Sequence, residues 1–386
     1  MAEFKVLIVG AGLNGLLAGL VLQRAGVKFL ILEKRSETDL NWGSSVCLWP
    51  QSVRLLDQLG LLQEAYELYY PIQKKCNLKR DGTVMSWSMM VENIGLYHGH
   101  PWMLFERGTL INMLKHHIAE LSEHLFLNKK VTSISSEQDK IDLECADGSW
   151  YTANMLIGAD GINGTTRSFV EKSSDMRTDH YVDEDFTTTF YGVYGHGGFL
   201  SSDLEYGVDY ETHSQDFSSQ LIVPSKERYF FLIYQRFDKP THKRQYITVD
   251  MEEELVRQHG KTYIAPGVTL EQVWVRKTWQ YSAPLEEGVA KKWSRDRVLL
   301  LGDAAHKMTP NIGFGLNTGW QSVVILINIL RSHLADNPDP TTTALTNLLT
   351  EFHRIRRTKV RREQQLSALA TRLAIWDTLL WRFLDH

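Results

Sequence analysis

The chain has 386 residues, 43% of them hydrophobic and 23% charged, and its 42 Lys and Arg against 46 Asp and Glu leave a formal net charge of −4. That length allows two domains or one large domain with an embedded lobe, and the charge balance, with no basic stripe interleaved with aromatics, argues against a nucleic-acid binder. Cys47, Cys76 and Cys145 are widely spaced and form neither a CxxC pair nor a metal-ligand pattern, which argues against a disulfide framework or a metal site and for a reducing, cytoplasmic setting.

The stretch KVLIVGAGLNGLLAGLVLQ, from Lys5, imitates a secretory signal. Its glycines and Asn14 interrupt it at fixed spacing, however, and Arg24 ends it too early for a span of about 20 residues. Residues 4–9 instead read as a strand buried on both faces of a parallel sheet. Gly10, Gly12 and Gly15 then make GxGxxG: a tight turn, a close approach for a pyrophosphate, and a close helix–strand contact. A helix over residues 13–24 points its N-terminal amides at those phosphates. VKFLILEKR is a second buried strand ending at Glu33, whose carboxylate is placed to accept from a pair of ribose hydroxyls. Strand, helix, strand and acid together read as a dinucleotide cradle. A ligand-free helix hairpin would leave Glu33 unexplained.

Residues 49–69 read as a helix, CNLKRDGTVMSWSM as two strands about an Asp-Gly turn, and residues 106–123 as another helix. Short strands follow, ending in an apolar one before GADG. From 175 to 287 the character changes: TTTFYGVYGH, SSQLIVP, RYFFLIYQRF and RQYITVDM read as strands of an antiparallel sheet, with helices near 251–259 and 270–276. DRVLLLGDAAHKMTP restores a buried strand and loop, a helix starts near Gly315, and a helical tail runs from about residue 341. The expected fold is mixed α/β: a Rossmann-like nucleotide-binding domain with an inserted antiparallel-sheet substrate lobe and a long C-terminal helix. The expected division is 1–174 and 288–335 for the nucleotide-binding domain, 175–287 for the lobe and 336–386 for the helical segment.

LIGADGINGTTR sets Gly158, Asp160 and Gly161 just past an apolar strand, and RVLLLGDAAHKMTPNIGFGLN does the same with Gly302 and Asp303 before adding Pro310, Gly313, Gly315 and Asn317. FERGTL starts a helix at Arg107. One such aspartate would be a turn former that caps the next segment; two in this arrangement favour a ligand.

With GAGLNG and Glu33, these motifs resemble the FAD-dependent aromatic-hydroxylase family, the single-component flavin monooxygenases, over about residues 3–365. The resemblance implies non-covalent FAD, with Asp160 serving FAD and the pyridine nucleotide, Asp303 the ribityl hydroxyls and Arg107 the phosphate and ribityl region. The loop of Pro310, Gly313, Gly315, Leu316 and Asn317 would set backbone amides against the flavin. Gly10, Gly12, Gly15, Glu33, Lys34, Gly43, Cys47 and Gly302 complete the implied cofactor set. EKR…WGSSVCLWPQSVRLLDQLGL, TTFYGVYG and LGDAAHKMTPNIG look closest to fungal secondary-metabolite enzymes: epoxidases of indole diterpenes and meroterpenoids, and oxidases of prenylated indole alkaloids. The chain departs from that branch in Cys47 for glycine, Gln51 for asparagine, Leu316 for a small residue, and Gln321 and Ser322 for Glu-Asp.

The implied activity is NADPH- or NADH-dependent oxygenation through a flavin C4a-hydroperoxide, epoxidising or hydroxylating an alkene or indole of a hydrophobic terpenoid or prenylated indole, with rearrangement as a sequel. Two alternatives stay open: an FAD-dependent dehydrogenase or oxidase without oxygen insertion, and a non-catalytic FAD-binding protein. Tyr191 and Tyr234 are the candidate hydrogen-bond donors to substrate or peroxide. Phe190, Tyr194, Phe231 and Trp279 are further candidate contacts, although strand alternation must turn some of these away. Cys47 is expected to be a space-filling thiol rather than a flavin anchor, and His306 to satisfy a local backbone hydrogen bond rather than act as a base. The tail HRIRRTKVRREQQLSALATRLAIWDTLLWRFLDH has no run long enough to span a bilayer. It is expected to pack back across the nucleotide-binding domain with 354–362 as a solvated face; peripheral membrane contact through Trp376, Trp381 and Phe383 is the second reading.

Overall fold

The computed structural model describes residues 4–37, 44–137, 139–172, 182–376 and 378, so Gly43, Trp381 and Phe383 lie outside the described residues. The strand Lys5–Val9 pairs in parallel with Lys28–Leu32 on one side and Met155–Gly158 on the other. These sit inside a six-stranded sheet, ordered Ser294–Arg295, Val298–Leu300, Met155–Gly158, Lys5–Val9, Lys28–Leu32, Leu125–Phe126. Val6, Leu7 and Ile8 are fully buried, as an apolar run without alternation requires of a central parallel strand. The helix Leu13–Ala25 buries every position from 13 to 22 except Asn14. It has no polar face because helices Arg107–His116 and Phe314–Asp336 pack against it, which explains its likeness to a secretory signal. The Trp320 indole donates to the Leu13 carbonyl at 3.2 Å, and the Asn14 side chain fills the space that a Cβ on Gly302 or Gly319 would need.

The second sheet has eight strands, ordered His306–Lys307, Lys277–Val289, Phe186–Gly197, Arg228–Thr241, Phe217–Ser225, Val208–Ser214, Lys74–Lys79, Val84–Ser88. All its pairs are antiparallel except Val208–Ser214 with Lys74–Lys79. The lobe therefore takes its last two strands from chain well before residue 175 and its first edge from the GDAAHK turn. Away from register shifts at 188–190, 196–197, 222–225 and 77–78, its side chains alternate between the two faces. Tyr191, Val193, Phe231 and Ile233 face helices Val249–His259 and Leu270–Arg276. Phe190, Ile222, Phe230, Leu232 and Tyr234 face the other way, toward Ile72, Val91, Leu104 and Ile375.

Residues 49–69 form two helices, Pro50–Gln58 and Leu62–Leu68, separated at Gly60, whose φ of +76° leaves the helical region. The expected 106–123 helix likewise ends at His116. The C-terminal helix, Thr342–Ala374, does run back over the nucleotide-binding part. Thr309 and Ser367 exchange hydroxyl-to-carbonyl bonds of 3.0 and 2.7 Å, Thr371 donates to Asn311 Oδ1 at 2.6 Å, and Arg372 holds Glu287 with both terminal nitrogens. The basic run is only partly solvated. Arg356 is buried and donates to Ser322 Oγ at 3.1 Å and to the Thr318 carbonyl at 3.2 Å, so this chain's Ser322 has a packing partner. Among the described residues no helix is long and apolar enough to cross a membrane.

Candidate active site

One cavity of about 880 Å³ runs from the first strand–turn–helix to the eight-stranded sheet. At the first end, Gly10 takes φ +106°, and a Cβ there would strike the Ala159 carbonyl at 2.5 Å. Gly12 lines the cavity, and a Cβ on it would meet nothing within 4 Å. Gly15 does not line it. A Cβ there would sit 1.9 Å from the Gly10 oxygen, so this glycine sets how closely helix and strand pack. Glu33 is buried beside them. Its Oε2 accepts from the Ala11 amide at 2.8 Å and its Oε1 from the Arg35 amide at 3.1 Å, which fixes the carboxylate at the cavity wall. Lys34 and Arg107 line the same space, and so do Arg35, Lys130 and Arg244, which the sequence did not single out; this cationic lining suits a pyrophosphate.

The two motif aspartates differ. Asp160 accepts from the Thr166 amide at 3.1 Å and from the Thr166 hydroxyl, so it caps the helix Thr165–Glu171 as well as lining the cavity. Burial raises its carboxyl, with the Thr166 bonds pulling the other way. Asp303 opens into the cavity, deep enough in the protein that burial raises its carboxyl too, while Lys307 and Arg107 draw it back. Burial lowers Arg107, which Asp303 partly restores. Asp303 thus presents an acceptor surface to a ligand, with Arg107 near it.

Pro310, Asn311, Ile312, Gly313, Gly315 and Leu316 carry the loop along the cavity wall. Asn317 and Gly302 do not line it. Asn317 accepts from the Trp49 amide at 2.9 Å and donates to the Cys47 and Gly313 carbonyls at 2.9 and 2.7 Å, fastening the loop to the strand Ser45–Leu48. Cys47 lines the cavity with its Sγ 3.9 Å from the Gly313 oxygen. Burial and the nearby Asp209 charge push its thiol up to about 12, which keeps it protonated and unreactive near neutrality.

At the far end the walls are Ile72, Val91, Ile94, Trp102, Ile222 and Leu232. None of the aromatics expected to contact substrate lines the cavity. Tyr191 lies on the opposite sheet face, against Phe237 with ring centres 5.1 Å apart, and Phe231 shares that face. Phe190 is on the near face beneath the Arg372 guanidinium, 5.4 Å from the ring centre, and Trp279 stacks on His196. Tyr234 acts at one remove. Its hydroxyl donates to Gln220 Oε1 at 2.8 Å, and Gln220, which lines the cavity, donates to the Asn311 carbonyl at 3.1 Å. His306 departs from expectation: both ring nitrogens are buried without a hydrogen-bond partner, beside Trp293 at 5.8 Å between ring centres. Burial drops its pKa to about 3. Lys75, Asp209, Gln220 and Trp102 are cavity residues that the sequence reading missed.

The donor set fits a dinucleotide carrying a polyol chain and a planar ring. An open backbone cradle meets a helix N-terminus, a buried acid stands at the sugar end, an exposed-to-cavity acid stands midway, and Asn14 Oδ1 is buried at the cradle without a partner. A sequence profile described as "FAD binding domain" matches residues 3–362. The chain is similar to the FAD-dependent monooxygenase ausM of Penicillium brasilianum, 27% identical across 98% of this chain and 81% of that one. It is also similar to the FAD-dependent monooxygenase olcE of Penicillium canescens, 29% identical across 100% and 84%. Among solved structures, Klebsiella pneumoniae HpxO complexed with FAD and uric acid superposes with a TM-score of 0.79 at 19% identity, covering 98% of this chain and 90% of that one. CtdE in complex with FAD and substrate gives 0.78 at 18%, covering 97% and 91%. Those two share the fold.

Proposed function

The chain belongs to the FAD-binding-domain family and is an FAD-dependent monooxygenase, and from that premise we propose that it inserts one atom of O2 into an alkene or indole of a hydrophobic secondary metabolite, with NADPH or NADH as reductant. The observation that carries this reading is the single cavity joining a dinucleotide cradle to an apolar wall. Bound FAD supplies the redox chemistry that activates oxygen. The chain's own residues bind, orient and exclude. The amides after Gly10 and the start of the helix Leu13–Ala25 would take the pyrophosphate, Glu33 the adenosine ribose, Asp303 and Arg107 the polyol chain, and the amides of the Pro310–Leu316 loop the electron-rich ring edge.

Ile72, Val91, Ile94, Trp102, Ile222 and Leu232 would hold the substrate in a water-poor space, where oxygen transfer outcompetes hydrolysis and leakage of reducing equivalents. Among the described residues at the apolar end, Lys75 and Glu211 are paired with each other rather than poised as a proton relay, in keeping with a transfer that needs position more than proton shuttling. The strongly raised Tyr234 and about-12 Tyr191 phenols, both held up by burial, are unsuited to give up a proton near neutrality. The test is turnover of a panel of terpenoids and prenylated indoles with FAD-loaded protein, NADPH and 18O2. One labelled oxygen atom per product molecule is expected. Oxidised product without label would favour the dehydrogenase or oxidase alternative.

A further inference from the structure

Among the described residues, the apolar end of the cavity contains a charged group, Asp209, that the fold itself does not use. The strand Val208–Ser214 turns Asp209, Glu211 and His213 to one face, with Lys75 opposite Asp209 in the parallel pair with Lys74–Lys79. Most of this charge is consumed locally. Lys75 is ion-paired with Glu211, and His213 Nε2 lies 3.5 Å from the same Glu211 oxygen. Burial would push the Glu211 carboxyl up, but Lys75 and His213 outweigh it and hold it well below the usual range. Gln220, paired with Glu211 across the strands, is likewise spent on Tyr234 and Asn311.

Asp209 is different. It lines the cavity among Ile72, Ile222, Leu232 and Trp102, and its Oδ1 is buried without a hydrogen-bond partner. Burial lifts its carboxyl to about 6, Lys75 and His213 pulling it down and Glu211 pushing it up. It is also close enough to Cys47, and so to the Gly313 loop, for its charge to raise that thiol. A buried acceptor left unsatisfied costs the fold free energy, and Asp209 as a whole is only partly buried and lines the cavity, where a ligand's donor can reach the carboxylate.

We propose that Asp209 is the substrate-anchoring residue of this cavity, accepting a hydrogen bond from a hydroxyl or indole N–H on an otherwise apolar molecule. The anchor deepens the monooxygenase reading, since it selects which part of the hydrophobic molecule faces the loop Pro310–Leu316. An otherwise apolar molecule with a single donor at one end fits this end of the cavity, where Ile72, Val91, Ile94, Trp102, Ile222 and Leu232 form apolar walls and Asp209 offers a carboxylate not spent on the fold. Neighbouring Lys75 and His213 serve Glu211 and need no ligand.

The test uses FAD-loaded wild type, Asp209→Leu and Asp209→Asn with two matched pairs of probes: geranylgeraniol against its methyl ether, and 3-prenylindole against its N-methyl derivative. Binding is read from the change in the bound flavin spectrum, and stability from thermal unfolding without probe. Wild type should bind the free donor of at least one pair about tenfold or more tighter than its blocked partner, the worth of one hydrogen bond to a carboxylate. Asp209→Leu should bind both members of that pair equally and unfold at a higher temperature than wild type. Asp209→Asn, which keeps an acceptor oxygen, should retain part of the preference. Equal or absent binding of both members by wild type, preference retained in Asp209→Leu, or a lower unfolding temperature in that variant would each overturn the proposal. These readouts do not need turnover. Donor preference without label incorporation would refute oxygen insertion and leave the anchor standing, and the reverse pattern would refute the anchor alone.

Discussion

Alanine at two neighbouring glycines separates a residue that the fold needs from one that the ligand needs. Gly12 has φ −74°, which any residue adopts, and a Cβ there meets nothing within 4 Å because it points into the cavity. Gly12→Ala should therefore leave the FAD-stripped protein as stable as wild type, or more stable by about 0.4–1 kcal/mol through the unfolded chain. The same methyl stands where a pyrophosphate must approach the backbone. Losing one charge-assisted amide–phosphate bond costs about 1.5–3 kcal/mol, a drop in FAD affinity of roughly 10- to 150-fold. At Gly15 the Cβ would be 1.9 Å from the Gly10 carbonyl oxygen, where real Cβ atoms do not come within 3.0 Å, so the helix Leu13–Ala25 must retreat by about 1 Å. That overpacking costs about 1–3 kcal/mol in the FAD-stripped protein itself. Urea denaturation of stripped protein and FAD titration by flavin fluorescence measure the two quantities separately. If Gly12→Ala destabilises the stripped protein as much as Gly15→Ala does, or leaves FAD affinity unchanged, the assignment of that open space to a phosphate is wrong.

Asp303→Asn should weaken FAD binding by an order of magnitude or more in the same titration while leaving the stripped protein about as stable as wild type, because Asp303 opens into the cavity and packs in no core. Tyr191→Phe should leave turnover and FAD binding unchanged. Tyr234→Phe, which frees Gln220 Oε1, should raise KM more than it lowers kcat; equal effects of the two substitutions would put the working sheet face in doubt. His306 makes stability depend on pH. Its native pKa is lowered to about 3 from an ordinary 6.5, so the unfolded chain gains a proton below 6.5 that the native protein refuses. Its contribution is complete above 6.5 and falls away as pH drops toward 3, by about 2 kcal/mol at pH 5. Urea midpoints at about pH 7 and pH 5 should differ less in His306→Leu than in wild type; an unchanged difference would contradict the burial argument.

The cradle was legible because its signals are local: an apolar run of strand length, three glycines and an acid, all within residues 4–33. Asp303 was legible for the same reason. Asp209 and Gln220 were not, because what makes them cavity residues is the pairing of Val208–Ser214 with Lys74–Lys79, across more than a hundred residues, and no residue type announces it. TTTFYGVYGH misled in a related way: buried on both faces, it carries no polar alternation, so nothing in it says that Tyr191 faces the lobe's own helices and Phe190 the cavity side. Arg356 hides in a run of arginines, and only the neighbouring helix Phe314–Asp336 tells it from the solvated ones. Asn317 was read as a cofactor contact from its place in the motif, and what the motif does not announce is that its side chain fastens the loop to Trp49, Cys47 and Gly313.

The cavity bounded by Glu33 and Asp303 is expected to hold one FAD without a covalent bond. The direct measurement is the flavin content of purified protein, followed by denaturation and filtration. One FAD per chain is expected, released entirely into the filtrate and leaving a colourless polypeptide, with Cys47 recovered as free thiol. A chain that takes up no flavin, or one that keeps its colour after unfolding, would contradict it.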